Sequence, residues 1–111
     1  MAREQAPARF EVYHTQLEPT IGSEIRKARP CVVISPDELN AYLHTVIIAP
    51  LTSTIHPYPY RVRSRFRGRV GQIALDQLRT VDRQRLGRYL GTVDASTGAE
   101  VLRVLQALFS L

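Results

Sequence analysis

Arg29 and Pro30 stand together immediately before the apolar run Cys31-Val32-Val33-Ile34. Proline restricts its own φ and the conformation of the residue before it, so the guanidinium at position 29 is carried on stiff backbone. Such a residue is either a plain surface arginine flanking a strand or the rigidly held cation that a developing phosphorane needs, because preorganised charge costs no reorganisation as the transition state forms. The segment leading to it adds one acid, Glu24, and two bases, Arg26 and Lys27, beside Gly22-Ser23. An acid here could accept a 2′-hydroxyl proton or orient Arg29; the same charges on a solvated loop contribute little. Thr52-Ser53-Thr54 offers hydroxyls to phosphate oxygens, or plain turn chemistry. Asp76-Gln77-Leu78-Arg79-Thr80 brings a second acid and base, or a capped turn.

Arginine recurs at 61, 63, 65, 67 and 69. A strand projects alternate residues from one face, so this spacing predicts five guanidinium groups side by side. That pattern serves either as a charge-protected edge or as a surface for a polyanion. His14, His44 and His56 lack metal-ligand spacing, and a structural role is expected for each. Cys31 lies in an apolar run and reads as an inert core thiol. No CxxC, HExxH, Walker or dinucleotide fingerprint is present.

The elements that must position these groups are short. Residues 10–17 read as a first strand, 31–35 as a buried strand bounded by Pro30 and Pro36, and 45–51 as the clearest strand. One helical turn is expected over 37–43, and a loop over 52–60. The arginine run forms a strand, Gly68 and Gly71 flank a turn, and 72–75 is a further strand. Asp82 can cap a short helix over 83–88, and 89–93 extends again. The tail reads as an amphipathic helix, with Thr97 and Glu100 at capping-box spacing and Val101, Val104, Leu105 and Leu108 on one stripe. Leu102 and Phe109 widen that stripe and hint at a second contact. Several short strands with a late helix predict a small, strongly bent antiparallel sheet or barrel carrying one helix.

At 111 residues the chain fits one domain, expected over 9–111 after a frayed leader at 1–8. No apolar run approaches the roughly 20 residues of a membrane span, so no membrane contact is expected. A single cysteine fits a reducing cytoplasm. The net charge of +5 predicts attraction to a polyanion. Lys27 is the only lysine, and every other base is arginine. Guanidinium suits bidentate phosphate contact, and a GC-rich genome produces the same bias.

Four blocks together resemble the MazF/PemK toxins of bacterial toxin–antitoxin systems. They are Leu17-Glu18-Pro19-Thr20-x-Gly22-Ser23-Glu24, Arg29-Pro30-x-Val32-Val33-Ile34-Ser35, Ile48-Ala49-Pro50-Leu51-Thr52-Ser53 and Asp76-Gln77-Leu78-Arg79-Thr80-Val81-Asp82. The resemblance implies a compact SH3-like β-barrel of the MazF/CcdB type with a C-terminal helix, mainly β with helices. It implies a toxin that cleaves single-stranded RNA sequence-specifically without a metal or other cofactor, giving 2′,3′-cyclic phosphate and 5′-hydroxyl ends. The implied partners are RNA, an acidic antitoxin and a second copy in a homodimer.

Carried onto this chain, the resemblance makes Arg29 the catalytic arginine and Thr52 the catalytic hydroxyl. Glu24 matches an acid whose role varies among members, and Asp76 matches a proton acceptor of some PemK-type members. Pro19, Ser23, Arg26, Ser53, Arg61, Arg63, Gln77 and Arg79 are the expected RNA contacts. Three departures stand out: Arg9-Phe10-Glu11 replaces the usual Arg-Gly-Asp, Ser23 replaces a histidine, and Ala74 replaces an arginine. The last two put Asp76 as base in question. Two rival classes are a CcdB-like toxin that binds gyrase and cuts nothing, and a catalytically silent nucleic-acid-binding repressor.

Overall fold

A computed structural model of the chain describes residues 5–111. Its strands are β1 (Glu11–Gln16), β2 (Ala28–Val33), β3 (Thr45–Thr52), β4 (Arg61–Phe66), β5 (Arg69–Ala74), β6 (Arg79–Asp82) and β7 (Leu86–Thr92). Helix α1 (Asp37–Asn40) precedes β3, and α2 (Ala95–Leu108) ends the chain. All strand pairs are antiparallel, in the order β4-β5-β3-β2-β1-β7. One stretch of β3, Thr45 to Ile48, pairs with β6, whereas its end, Leu51 and Thr52, pairs with β5. Handing one strand to two neighbours curls the sheet into a half-barrel with a C-terminal helix, in keeping with the strongly bent, barrel-like sheet expected. The end strands of the path meet where Phe66 of β4 packs on Gly91 of β7: a Cβ on Gly91 would lie 3.2 Å from the ring.

Both faces of the sheet are covered, which is why β2 and β3 read as near-continuous apolar runs. Val12, Val32, Ala49 and Ile73 pack with Val101 and Val104 of α2 on one face. Leu17, Cys31, Val33, Val46, Ile48 and Val81 form the core of the other, with Ile25 of the β1–β2 loop against them. Burial pushes the Cys31 thiol up to about 12, leaving it the inert side chain expected.

Several elements differ from expectation, each for a tertiary reason. Strand β2 begins at Ala28, because Arg29 and Pro30 pair with Thr15 and His14 of β1. Arg29-Pro30 therefore lies inside a strand rather than at its mouth. The turn in the arginine run is Arg67-Gly68, with φ of 51° and 78°, the positive pair that a two-residue type I′ hairpin requires. Gly71 sits within β5 instead of flanking the turn. Arg83–Arg85 is one 3₁₀ turn, capped by Asp82 as expected, and β7 starts directly after it. Strand β6 was missed because it depends on its partner β3.

Helix α2 is capped by Asp94, whose Oδ1 accepts from the Thr97 backbone at 2.8 Å. Thr97 is thus a donor within the first turn, and the Thr97–Glu100 capping box does not form. Glu100 pairs instead with Arg103 at 2.6 Å. Gly98 seats the helix on Phe10, where a Cβ would come within 2.8 Å of the ring. Phe109 stays 76% exposed, so the wider apolar stripe continues to the helix end. Of the leader expected over 1–8, residues 1–4 lie outside the described residues. Pro7 is buried, and its carbonyl accepts from Asn40 Nδ2 at 2.9 Å.

Candidate active site

The register Cys31↔Pro50 between β2 and β3, continued by two residues, sets Arg29 across from Thr52. Both line one cleft of about 430 Å³, together with Pro30 and Ser53. Arg29 Nε donates to the Arg26 carbonyl at 3.0 Å, which orients the guanidinium while leaving its two terminal nitrogens for a ligand. Thr52 is 7% exposed, and its Oγ1 accepts from the Thr54 amide at 3.2 Å. With that lone pair engaged, the Thr52 hydroxyl hydrogen is the atom left to donate. Strand β5 passes so close that a Cβ on Gly71 would lie 2.4 Å from the Thr52 carbonyl oxygen. Glycine is the residue type that permits this approach.

The other expected residues fall elsewhere. Glu24, Asp76, Gln77 and Arg79 line a second hollow of about 270 Å³, with Pro50 in its wall. Gln77 and Arg79, expected to hold RNA, brace the β1–β2 loop: Gln77 Oε1 accepts from the Ile25 amide at 3.2 Å, and Arg79 Nη1 donates to the Leu17 carbonyl at 3.0 Å. Glu24 Oε1 accepts from the Ile21 amide at 2.6 Å, closing a turn of that loop. Pro19, Ser23 and Arg26 lie exposed on the same loop and line neither hollow.

Asp76 and Arg61, one expected as a base and the other as an RNA contact, are bound to each other. Arg61 Nε and Nη2 donate to Oδ1 and Oδ2 of Asp76 at 2.6 and 3.0 Å. Arg61 also lies 5.0 Å from the Tyr58 ring, which stacks on His56 at 4.6 Å. The paired guanidinium holds the Asp76 carboxyl below its usual range, so it is a weak proton acceptor. The Arg61 side chain is only 5% exposed against 37% for Asp76. Asp76→Asn is therefore expected to destabilise more than Arg61→Gln, because it strands the more buried ion. A depressed folded pKa gives stability that is present above the unfolded value, about 4, and is lost as pH falls through the folded one. The difference in melting temperature between wild type and Asp76→Asn should accordingly shrink on acidification below about pH 4.

The five arginines do not share a face. Residues 61, 63 and 65 do, but the hairpin turns the chain at Arg67, and Arg69 pairs with Phe66 on the opposite side. Arg63 stays exposed on the outer face of β4. Arg67 and Arg69 line the first cleft beside Arg29, joined by Arg88 and by His14. Sequence reasoning placed none of these four there. The Arg-Gly pair between alternating residues was the available signal for the hairpin tip. Arg88 and His14 had no local signal, since the pairing of β7 with β1 brings them in. Among the described residues, no three His, Cys, Asp or Glu side chains cluster as metal ligands. No described helix is long and apolar enough to cross a membrane.

A curled antiparallel half-barrel with a terminal helix and a cleft of converging guanidinium groups defines a small, basic, anion-handling protein. Comparison with known proteins is more specific: residues 8–109 match the family described as PemK-like, MazF-like toxin of type II toxin–antitoxin system, and the chain belongs to that family. Endoribonuclease EndoA of Bacillus subtilis (strain 168) is 33% identical over 109 residues, covering 93% of this chain and 94% of its own. Endoribonuclease MazF of Staphylococcus epidermidis is 34% identical over 109 residues, covering 93% and 91%. Among solved structures, MazF from Deinococcus radiodurans superposes with a TM-score of 0.83 at 28% identity, covering 96% of this chain and 98% of that one. A mycobacterial endoribonuclease in complex with its cognate antitoxin gives 0.78 at 26% identity, covering 92% and 93%.

Proposed function

We propose that this toxin is a sequence-specific endoribonuclease that cuts single-stranded RNA in the cytoplasm, by attack of the ribose 2′-hydroxyl on its own phosphate. The observation that carries this reading is the meeting of Arg29 and Thr52 in one basic cleft, each with donors left for a ligand. The O2′–P bond forms as the P–O5′ bond breaks, O2′ gives up its proton and O5′ takes one from solvent water in the open cleft, giving a 2′,3′-cyclic phosphate and a 5′-hydroxyl. The nucleophile belongs to the substrate, so no activated water and no metal are required. Arg29 stabilises the charge on the phosphorane oxygens; a guanidinium is too weak an acid to give up its proton readily. Thr52 donates its hydroxyl to a non-bridging oxygen.

The 2′-hydroxyl proton needs an acceptor. Glu24 fits better than Asp76, both of whose oxygens are engaged by Arg61. Glu24 is exposed, and it is mounted on the loop whose Arg26 carbonyl holds Arg29. Asp76 acts instead by fixing Arg61 and the end of β5. Thr52→Val keeps the shape of the side chain and removes the donor, so single-turnover cleavage should fall about 100-fold. The Thr54 amide that it unpairs belongs to an exposed residue and can turn to water.

The decisive experiment incubates the purified chain with a long unstructured RNA in EDTA and maps both ends of every cut. Cyclic phosphate and 5′-hydroxyl termini at a recurring sequence are expected. Intact RNA would overturn the reading and favour a gyrase-binding toxin, or a repressor if duplex DNA binds with steep salt dependence. The natural inhibitor would be an acidic, partly disordered antitoxin segment that folds onto the arginine-lined surface of a homodimer and weakens with salt. The solved complex of a mycobacterial relative with its antitoxin supports that partner class.

A further inference from the structure

Besides Arg29, the first cleft gathers three guanidinium groups that the catalytic reading does not use. Arg67 and Arg69 stand at the tip of the β4–β5 hairpin, and Arg88 comes from β7. All three residues are exposed, and no acid lines the cleft with them. The ion pairs among the described residues are Arg61–Asp76 and Arg103–Glu100, so none of the three is neutralised by the chain itself. Like charges gathered this way repel one another and are stabilised when a polyanion enters. The cleft also has an apolar wall formed by Leu51, Phe66 and Leu90. Its volume of about 430 Å³ falls within the usual span of small-molecule sites.

We propose that Arg67, Arg69 and Arg88 form a second phosphate-binding subsite that grips the RNA backbone beside the scissile phosphate, with one base seated on the apolar wall. This rests on the reading of the chain as an RNA endonuclease. Guanidinium forks match phosphate oxygens bidentately, and an apolar surface accepts any base face without reading its edges. The subsite borders Arg29 and Thr52, so a strand held there has its neighbouring phosphate delivered to the reacting pair. A second copy of the chain fits this surface poorly, because a two-fold contact centred on it sets arginine against arginine. The subsite acts on affinity and register rather than on the bond-breaking step. Its loss should raise KM and leave kcat in place.

The test uses the triple variant Arg67→Asn, Arg69→Gln, Arg88→Gln. Asparagine before Gly68 creates the Asn-Gly pair that type I′ hairpins favour, so the turn keeps its positive φ while losing the charge. Binding is read by fluorescence anisotropy over a salt series. The ligands are an RNA of about 12 nucleotides, made uncleavable by a 2′-deoxy sugar at the mapped cleavage step, and a dinucleotide of the same step. The variant should bind the longer RNA about 30-fold more weakly, with a log–log salt slope smaller by about two, at about 0.7 per single-strand phosphate contact. It should bind the dinucleotide as wild type does, and cut saturating RNA within about twofold of the wild-type rate.

An unchanged salt slope overturns the proposal, and so does an equal loss on the dinucleotide. A variant that changes oligomeric state in sedimentation would assign the cleft to an interface between copies. Loss of acidic-peptide binding with RNA binding intact would assign it to an antitoxin. Wild-type protein that binds RNA with the full slope yet never cuts it would sink the catalytic reading and leave the subsite standing.

Discussion

Arg29→Ala should lower the single-turnover rate of RNA cleavage by about 1,000-fold while the chain stays folded. The expectation of a large catalytic effect follows from how the side chain is held. Pro30 stiffens the backbone that carries it, and the Arg26 carbonyl takes its Nε–H at 3.0 Å. The fork is oriented before substrate arrives, so its full charge is available as the phosphorane forms. The expectation of a small structural effect follows from its partners. Arg29 makes no ion pair among the described residues, and the Arg26 carbonyl it releases belongs to an exposed residue that water can satisfy. Stability should therefore change by less than about 1 kcal/mol. Arg29→Lys keeps the charge but loses the fork and its tether, and should recover only part of the rate. Rapid-quench cleavage with a parallel thermal melt checks both halves; a folded Ala variant within threefold of wild type would remove Arg29 from the chemistry.

Gly71→Ala is expected to cost about 100-fold in cleavage and about 1–3 kcal/mol in stability, although residue 71 has no side chain to offer a substrate. The cause is backbone against backbone. A methyl group at 71 would stand 2.4 Å from the Thr52 carbonyl oxygen and 3.3 Å from its carbon. No rotamer relieves that contact, so β5 must move away from the end of β3. The ladder there consists of two pairs, Leu51↔Ile73 and Thr52↔Gln72, and the second belongs to the hydroxyl residue proposed to contact the phosphate. Opening it displaces the Thr52 hydroxyl relative to Arg29, which stays anchored on β2. The signature distinguishing this from general destabilisation is a rate loss that persists well below the melting temperature. Full activity in the folded variant would mean that the approach of β5 does not set the position of Thr52.

These two expectations differ in how far the sequence alone foreshadowed them. The role proposed for Arg29 could be read from the sequence because its basis is local: an arginine before a proline at the edge of an apolar run. The apolar runs of β2 and β3, the terminal helix and a strongly bent antiparallel sheet were legible for the same reason, since hydrophobic period reports burial directly. The importance of Gly71 was not legible. It was assigned to a turn because glycine marks both turns and close approaches, and only the partner strand tells them apart.

Local chemistry in this chain thus determined which residue types were available: a stiffly mounted arginine, a hydroxyl cluster after a strand, two acids and a surplus of guanidinium. Tertiary structure decided which of them lie together. Cross-strand register brought Thr52 to Arg29, bound Asp76 to Arg61 and turned Gln77 and Arg79 into braces for the β1–β2 loop. The pairing of β7 with β1 and the reversal at Arg67-Gly68 collected the remaining arginines around the cleft. The physical reason is that a side chain's type is a property of one position, whereas its charge state, orientation and free donors depend on neighbours remote along the chain.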